Sequence, residues 1–199
     1  MGGKFLKKKQ ENLSFDKSAV LYLHDLMYLL VTFMIVLLLI FRVVIVSGSS
    51  MYATLYDGDY LLLLSNTFYQ EPEHGDIIVV SKQSFDNGAP IVKRVIATEG
   101  QTVDIDFDAG IVYVDGQALE EDYTNTMTNV NGGMEFPLKV TENCVFAMGD
   151  NRNISRDSRY PEIGLIDERE ILGKAIVLMI PGTNDGDFPR DFNRIGVLS

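Results

Sequence analysis

The 199-residue chain is poor in the side chains that many hydrolytic and metal sites use. It contains one cysteine, Cys144, two histidines, His24 and His74, and no tryptophan. One cysteine excludes an intramolecular disulfide and a cysteine-based zinc site, and two histidines exclude a three-histidine metal site. A Ser-His-Asp triad would have to use His74, whose Pro/Glu-rich surroundings are typical of a solvated loop. We therefore expect no metal and no cofactor.

Positive charge is also scarce, with 17 Lys and Arg against 28 Asp and Glu and a net charge of −11. An acidic chain of this kind argues against nucleic-acid binding. The charge is uneven, because residues 1–17 carry five lysines and two acidic residues, whereas residues 47–199 carry 11 Lys and Arg against 25 Asp and Glu. A basic arm and an acidic body are thus separated by an apolar run.

The apolar run, residues 26–46, contains one charge, Arg42, near its far end. About 20 apolar residues cross a bilayer core of about 30 Å, so the run predicts a single transmembrane helix in a cell membrane. By the positive-inside rule, the basic arm, residues 1–25, stays in the cytoplasm and residues 47–199 lie outside. The alternative is a cleaved secretory signal peptide, because Val46-Ser47-Gly48 resembles a cleavage site, although the run exceeds the usual length.

Beyond residue 46, the apolar residues come in short β-prone runs that are separated by glycine-containing turns. This pattern predicts a mainly antiparallel β domain over residues 47–199. Residues 97–143 are more acidic and richer in turns, and they predict a small inserted β sub-domain. Residues 181–199 are rich in Gly, Asp, Asn and Pro, and they predict an irregular tail.

A hydrolase without a usable histidine needs another base, and a lysine held out of water can serve because burial lowers its pKa. Lys93 lies in a strand-like run, residues 91–96, where Ile91 and Val95 share its face. The adjacent Arg94 further disfavours a second positive charge. The alternative is an edge-strand lysine that prevents aggregation.

Two other segments could carry chemistry together with this lysine. Residues 47–50 (SGSS) offer serine hydroxyls and backbone N–H groups open to an oxyanion, although such a run is also typical of a linker. Residues 149–159 hold three Arg, two Asp, two Asn and two Ser directly after an apolar run. This density of hydrogen-bonding partners favours a salt-bridged loop that fixes a neighbouring group, and the alternative is a polar surface loop.

In this order, the segments resemble bacterial type I signal peptidase in its short Gram-positive form. After a membrane anchor, that family shows the motifs S-M-x-P-T-L, G-D-[IV]-V-x-V, K-R-V-I and G-D-N-R-x-x-S-x-D-S-R. The matching segments are residues 50–55 (SMYATL), 75–80 (GDIIVV), 93–96 (KRVI) and 149–159 (GDNRNISRDSR). The last motif is highly specific, and the resemblance covers most of the chain.

The resemblance implies a membrane-bound serine endopeptidase that removes signal peptides from exported proteins, cutting after small residues at positions −3 and −1. Ser50 would be the nucleophile, with its backbone N–H in the oxyanion hole, and Lys93 would be the general base. Ser155 would hydrogen-bond and orient the lysine. The implied oxyanion or orienting support is Gly48, Ser49 and Ser155. The implied salt-bridge support is Arg94, Asp150, Arg152, Asp157 and Arg159, with Asp150–Arg94 and Asp157–Arg159 as pairs.

The chain departs from the family pattern at two positions. Ala53 replaces the family proline, which should loosen the turn after the nucleophile modestly. Gly48 stands where some members place a serine hydroxyl as an oxyanion donor, so a backbone group or Ser49 would have to serve.

Two alternative functions remain open at this point. A self-cleaving regulator could use the same Ser/Lys chemistry, but such proteins are soluble, and the apolar run and acidic body argue against one. A non-catalytic membrane-anchored β module has Ala53 as its only support. The expected partners are signal peptides and the lipid bilayer, and the sequence does not indicate an oligomeric state.

Overall fold

The structure, a computed structural model, describes residues 2–183 and 190–198. The chain divides into two compact units, Met1–Ile40 and Phe41–Ser199. The first unit is one helix, α1 (Gly2–Ile40). Its segment Ser18–Ile40 has a mean hydropathy of 2.3 and is long enough to cross a bilayer, which makes it a candidate membrane span.

The apolar helix ends at Ile40, before its predicted end at residue 46, so the predicted boundary is corrected. Residues Phe41–Ile45 form a strand that pairs with Tyr60–Ser65, from Phe41 opposite Leu64 to Ile45 opposite Tyr60. Hydropathy does not distinguish a helix from a strand in this segment, but a β-branched run favours a strand once a partner strand is available. Residues 2–25 of the predicted basic arm, 1–25, belong to the helix, and the side chains of residues 1–17 lie outside the described residues.

The second unit is built from short strands and short 3₁₀ helices. Its strands are β1 (Phe41–Ile45), β2 (Tyr60–Ser65), β3 (Ile77–Ser81), β4 (Pro90–Ala97), β5 (Thr102–Asp106), β6 (Ile111–Val114), β7 (Gln117–Ala118), β8 (Leu138–Lys139), β9 (Cys144–Met148), β10 (Ile166–Asp167), β11 (Ile171–Ile180) and β12 (Gly196–Val197). Its 3₁₀ helices are Asp86–Gly88, Glu168–Glu170 and Phe192–Arg194.

These strands form two antiparallel sheets. The large sheet has the order β1-β2-β11-β3-β4-β9-β10, with β12 added to β11, and the small sheet has the order β7-β6-β5-β8. The small sheet lies between β4 and β9 along the chain. The predicted fold class, a mainly β domain after one helix with a small inserted β sub-domain, is confirmed.

Both faces of the large sheet are apolar and covered, which explains the continuous apolar run of β3. Leu61 and Leu63 of β2 pack on one face with residues that precede the strand, including Met51 and Leu55. Ile78 of β3 packs on the other face. A third cluster joins β9 to the inserted sheet, so the insertion is fixed by its own core.

The predicted irregular tail, 181–199, is partly ordered. Its described part contains the 3₁₀ helix Phe192–Arg194 and the strand β12, which pairs with β11 through Val197 opposite Val177. Residues 184–189 and 199 lie outside the described residues. Composition predicts loops here, but two residues that add to an existing strand need no strand-like pattern of their own.

Candidate active site

Ser50 and Lys93, which lie 43 residues apart in the sequence, are brought together beside strand β4 of the large sheet. The Lys93 Nζ lies 2.9 Å from the Ser50 Oγ. The same nitrogen donates to the carbonyl oxygen of Val92 at 2.8 Å. A neutral amine can donate one proton to that carbonyl and keep its lone pair for the serine hydroxyl.

The environment of Lys93 favours the neutral amine. The residue is 3% exposed, and Ile78, opposite it on β3, is fully buried. Burial lowers the pKa of Lys93 from its usual 10.5 to about 8, although the nearby carboxylates of Asp157 and Asp150 oppose the change. Half of the lysine is therefore neutral near pH 8, and a base of this strength can work close to neutral pH.

Ser50 lies in a closed loop, residues 46–59, which we call the nucleophile loop after the prediction made for this serine. Two backbone hydrogen bonds close its base, from Val46 N–H to the Asp59 carbonyl at 2.8 Å and from Gly58 N–H to the Val46 carbonyl at 2.9 Å. Met51, directly after the serine, is 1% exposed and packs in the core with Leu55. The buried methionine thus fixes the loop at the position next to Ser50.

The structure argues against Gly48 as an oxyanion donor, whereas an orienting contribution of this residue stays a prediction. The Gly48 N–H donates to Asp57 Oδ1 at 2.7 Å, so this donor is already used inside the nucleophile loop. The glycine has a φ of 85°, which explains why a residue without a Cβ stands there. The backbone N–H of Ser50 has no hydrogen-bond partner among the described residues, so it is free to donate to an incoming oxygen atom.

The polar loop, residues 149–159, contacts the nucleophile loop directly through Asn151. The Asn151 N–H donates to the Ser50 carbonyl at 3.0 Å, and its side-chain amide donates to the Ser49 carbonyl at 3.0 Å. At Gly149, a Cβ would overlap the Ser50 carbonyl and the side chain of Ser155. Any larger residue at position 149 would therefore push the two loops apart.

The predicted partners Arg94 and Asp150 meet in a buried bidentate pair. Arg94 Nε lies 2.9 Å from Asp150 Oδ1, and Arg94 Nη2 lies 2.8 Å from Asp150 Oδ2. The Tyr123 ring covers the guanidinium, with its centroid 4.1 Å from the central carbon. Thr54 of the nucleophile loop donates to Asp150 Oδ2 at 2.6 Å. This pair therefore connects the loop that carries the serine to the strand that carries the lysine.

Two further ion pairs hold the polar loop itself. Asp157 and Arg159 form a second bidentate pair, with both oxygen–nitrogen distances at 2.8 Å, and both side chains are fully buried. Asp157 also accepts the Gly149 N–H at 3.0 Å. Arg152 pairs with Glu121 of the inserted segment at 2.6 and 2.8 Å. The inserted sub-domain is thus attached to the loop that contacts Ser50.

The predicted hydrogen bond between Ser155 and Lys93 is not formed in the structure. Ser155 is 1% exposed, and its hydroxyl has no hydrogen-bond partner among the described residues. The Lys93 Nζ is held instead by Ser50 and by the Val92 carbonyl. An orienting contribution of Ser155 to the reaction stays a prediction.

Comparison with known proteins decides the family. The sequence matches the family described as signal peptidase, peptidase S26, over residues 20–180. The chain belongs to this family. The predicted resemblance to signal peptidase I, and the enzyme class that it implies, are confirmed at this level.

Individual signal peptidases show the same relationship. Probable signal peptidase I-1 of Synechocystis sp. is 37% identical over 149 residues, which cover 71% of this chain and 72% of that protein. Signal peptidase I S of Bacillus subtilis is 30% identical over 184 residues, which cover 87% of this chain and 95% of that protein. A crystal structure of a signal peptidase I from Enterococcus faecalis V583 is 31% identical, with a TM-score of 0.43, covering 53% of this chain and 97% of that chain.

Sequence reasoning did not identify several residues that build this signal peptidase site. Asn151 and Gly149 lie inside the polar motif, and their contacts with Ser50 could have been suspected from that position. Thr54 lies in the serine motif, but nothing in the sequence assigns it to Asp150. The side chains of Glu121 and Tyr123 come from the inserted segment, which carries no signal for the site.

Proposed function

We propose that this signal peptidase cleaves its substrates with Ser50 as the nucleophile and Lys93 as the general base. The observation that carries the proposal is the 2.9 Å distance between the Ser50 Oγ and the Nζ of a lysine that is 3% exposed. A serine hydroxyl needs an adjacent base to attack a peptide bond, and a buried lysine with a lowered pKa supplies one.

In this mechanism, neutral Lys93 accepts the hydroxyl proton while the Ser50 oxygen attacks the scissile carbonyl. The oxyanion that forms accepts the Ser50 N–H. The C–N bond then breaks, and the leaving amine takes the proton from the lysine, so that an ester to Ser50 remains. Lys93 next removes a proton from water, whose oxygen attacks the ester carbonyl. The C–O bond to Ser50 breaks, the second product leaves as a carboxylic acid, and the lysine returns the proton to the Ser50 oxygen.

The substrate would lie extended beside β4, next to Lys93. Strand β9 pairs with β4 from Arg94 to Ala97, so Pro90–Lys93 have no strand partner on that side among the described residues. A peptide can add to such an edge through backbone hydrogen bonds, while shallow pockets select small side chains at positions −3 and −1. This mode would recognise exported proteins by shape at the cleavage site rather than by a long sequence.

The apolar helix would anchor the enzyme in the cell membrane with its basic N-terminal end in the cytoplasm. The β domain would then lie on the outer side, where the cleavage sites of exported proteins emerge. The 23-residue segment Ser18–Ile40 is long and apolar enough for this placement. Alkylation of single cysteines introduced near Gly2 and on the β domain, in intact cells, would test the orientation.

The test of the dyad is cleavage of a model preprotein by the full-length enzyme in detergent, with product masses. We expect Ser50→Ala to lower kcat/KM at least about 10⁴-fold, because the nucleophile is removed. Ser47→Ala is the matched control, since Ser47 is an exposed serine of the same run and should keep wild-type activity. Wild-type cleavage by a folded Ser50→Ala enzyme would show that another residue is the nucleophile.

A further inference from the structure

The C-terminal segment contacts the nucleophile loop through one arginine. Arg194 donates to both carboxylate oxygens of Asp59, with distances of 3.0 Å to Oδ1 and 2.7 Å to Oδ2. It also donates to the Thr54 carbonyl at 3.2 Å, and its guanidinium lies 3.8 Å from the ring centroid of Tyr56. All three partners belong to the nucleophile loop, and Arg194 lies beyond the residues that match the family.

Asp59 is the residue through which this contact reaches the loop. Its side chain is fully buried and accepts the Tyr56 N–H at 2.8 Å and the Gly182 N–H at 2.6 Å. Its backbone carbonyl accepts the Val46 N–H that closes the loop. Because Arg194 is the cation that pairs with this buried carboxylate, its loss would leave an uncompensated charge at the base of the loop.

The hydrogen bond from Arg194 to Thr54 connects the arginine to residues that contact Ser50 and neighbour Lys93. Arg194 holds the Thr54 carbonyl, and the Thr54 hydroxyl donates to Asp150 at 2.6 Å. Asp150 pairs with Arg94, the neighbour of Lys93, and the next residue, Asn151, holds the Ser50 carbonyl. The nucleophile loop is therefore fixed from the polar loop on one side and from the C-terminal segment on the other.

We propose that Arg194 is a positioning residue that holds the nucleophile loop, and with it Ser50, in the geometry needed for attack. The segment that carries it is attached to the body by β12, and the Leu198 N–H donates to the Ile176 carbonyl at 3.0 Å. A small displacement of a reacting group can lower the rate by up to about 100-fold without a change in substrate contacts. This proposal rests on the proposed function, because it assumes that Ser50 is the nucleophile.

The test compares Arg194→Ala, Arg194→Lys and the control Arg190→Ala in the full-length enzyme, with kcat and KM for a preprotein and with Tm. Arg190 is an exposed arginine of the same segment and matches the change in charge. We expect Arg194→Ala to lower kcat about tenfold or more, with KM within about twofold. The kcat of Arg194→Lys should lie between those of the wild type and Arg194→Ala, since an ammonium replaces the charge but not the planar set of donors.

Two readouts separate positioning from a general loss of structure. Ethylguanidinium added at non-denaturing concentration should restore part of the kcat of Arg194→Ala but not raise that of Arg190→Ala. The pH at half-maximal kcat/KM should stay unchanged, because Lys93 stays buried near Asp157 and Asp150, the features that chiefly set its pKa. If Arg194→Ala does not fold, Arg194→Lys decides, and an expected loss of about threefold in kcat can still be measured.

The proposal is overturned if folded Arg194→Ala or Arg194→Lys has the kcat of the wild type. It is also overturned if ethylguanidinium restores nothing while Tm falls in parallel with kcat, since Arg194 would then only stabilise the fold. Ser50→Ala in the same series separates the two proposals. If Ser50→Ala stays active, the nucleophile assignment fails, whereas an inactive Ser50→Ala beside a fully active Arg194→Ala refutes the positioning proposal alone.

Discussion

Lys93 and Arg94 are neighbours on β4, and both are almost completely buried. Their side chains differ in the groups that surround the charge. The Arg94 guanidinium has the carboxylate of Asp150 in a bidentate pair and the Tyr123 ring against its face. The Lys93 ammonium has only a hydroxyl and a backbone carbonyl within hydrogen-bond distance among the described contacts. One cation is compensated, and the other is left in an environment that favours loss of its proton.

The comparison shows that burial alone does not decide the protonation state of a basic side chain. Arginine keeps its proton in proteins, so a buried arginine requires a partner, and removal of that partner is costly. Lysine can release its proton, so burial without a paired carboxylate favours the neutral, basic form of its side chain. Under the proposed mechanism, the adjacent positions serve different purposes, the first in proton transfer and the second in holding the site together.

The largest expected effect comes from replacing Lys93. Lys93→Met keeps the length and apolar surface of the side chain but cannot accept a proton, so kcat/KM should fall at least about 10³-fold. The variant should also be more stable near pH 7, by up to about 3 kcal/mol, because the pKa lowered from 10.5 to about 8 implies a costly buried charge. Preprotein cleavage and chemical denaturation measure the two effects.

The pH dependence of that stability gain has a definite sign. Below pH 8 the wild type carries the buried charge, and as pH rises from about 8 to 10.5 its unfolded state binds more protons than its folded state. The wild type therefore gains stability over this window, and the advantage of Lys93→Met should shrink there. A Lys93→Met variant that is inactive but less stable than the wild type at every pH would contradict the account of the lysine environment.

A smaller effect is expected when the carboxylate that pairs with Arg94 is replaced. Asp150→Asn keeps the shape of the partner but leaves the buried Arg94 charge uncompensated, which should cost about 3 kcal/mol of unfolding free energy. Glu162→Gln is the matched control, because Glu162 pairs with Arg156 at 2.8 Å but that arginine side chain is 60% exposed. The control should change stability by less than about 1 kcal/mol. Equal losses in the two variants, measured by urea unfolding, would remove the distinction between the sites.

Much of the β fold and part of the site could be predicted because local patterns carry them. An apolar run flanked by basic residues indicates a membrane helix, and Lys93 between branched apolar residues indicates a buried lysine. The pairing of Asp157 with Arg159 needs only two residues of separation. In each of these cases the interacting groups lie close in the sequence, or one segment alone specifies the environment.

The remaining features depend on tertiary contacts that no local pattern records. The helix ends at Ile40 because Phe41–Ile45 finds a partner in β2, which hydropathy does not show. Glu121 reaches Arg152 from the inserted segment, and Arg194 reaches Asp59 across 135 residues of sequence. The Gly48 N–H is unavailable to an oxyanion because a loop aspartate uses it. Each depends on how the chain folds back on itself.

The most direct test of the central claim, that Lys93 is a buried base, is its own titration in the wild-type enzyme. NMR of ¹³Cε-labelled lysine, assigned with Lys93→Met, gives this pKa, and kcat/KM against pH gives the pKa of the catalytic base. We predict that both midpoints lie at about 8, with kcat/KM rising about tenfold for each pH unit below that value. A Lys93 pKa near the ordinary lysine value of about 10.4, with activity already maximal at pH 6, would contradict the account.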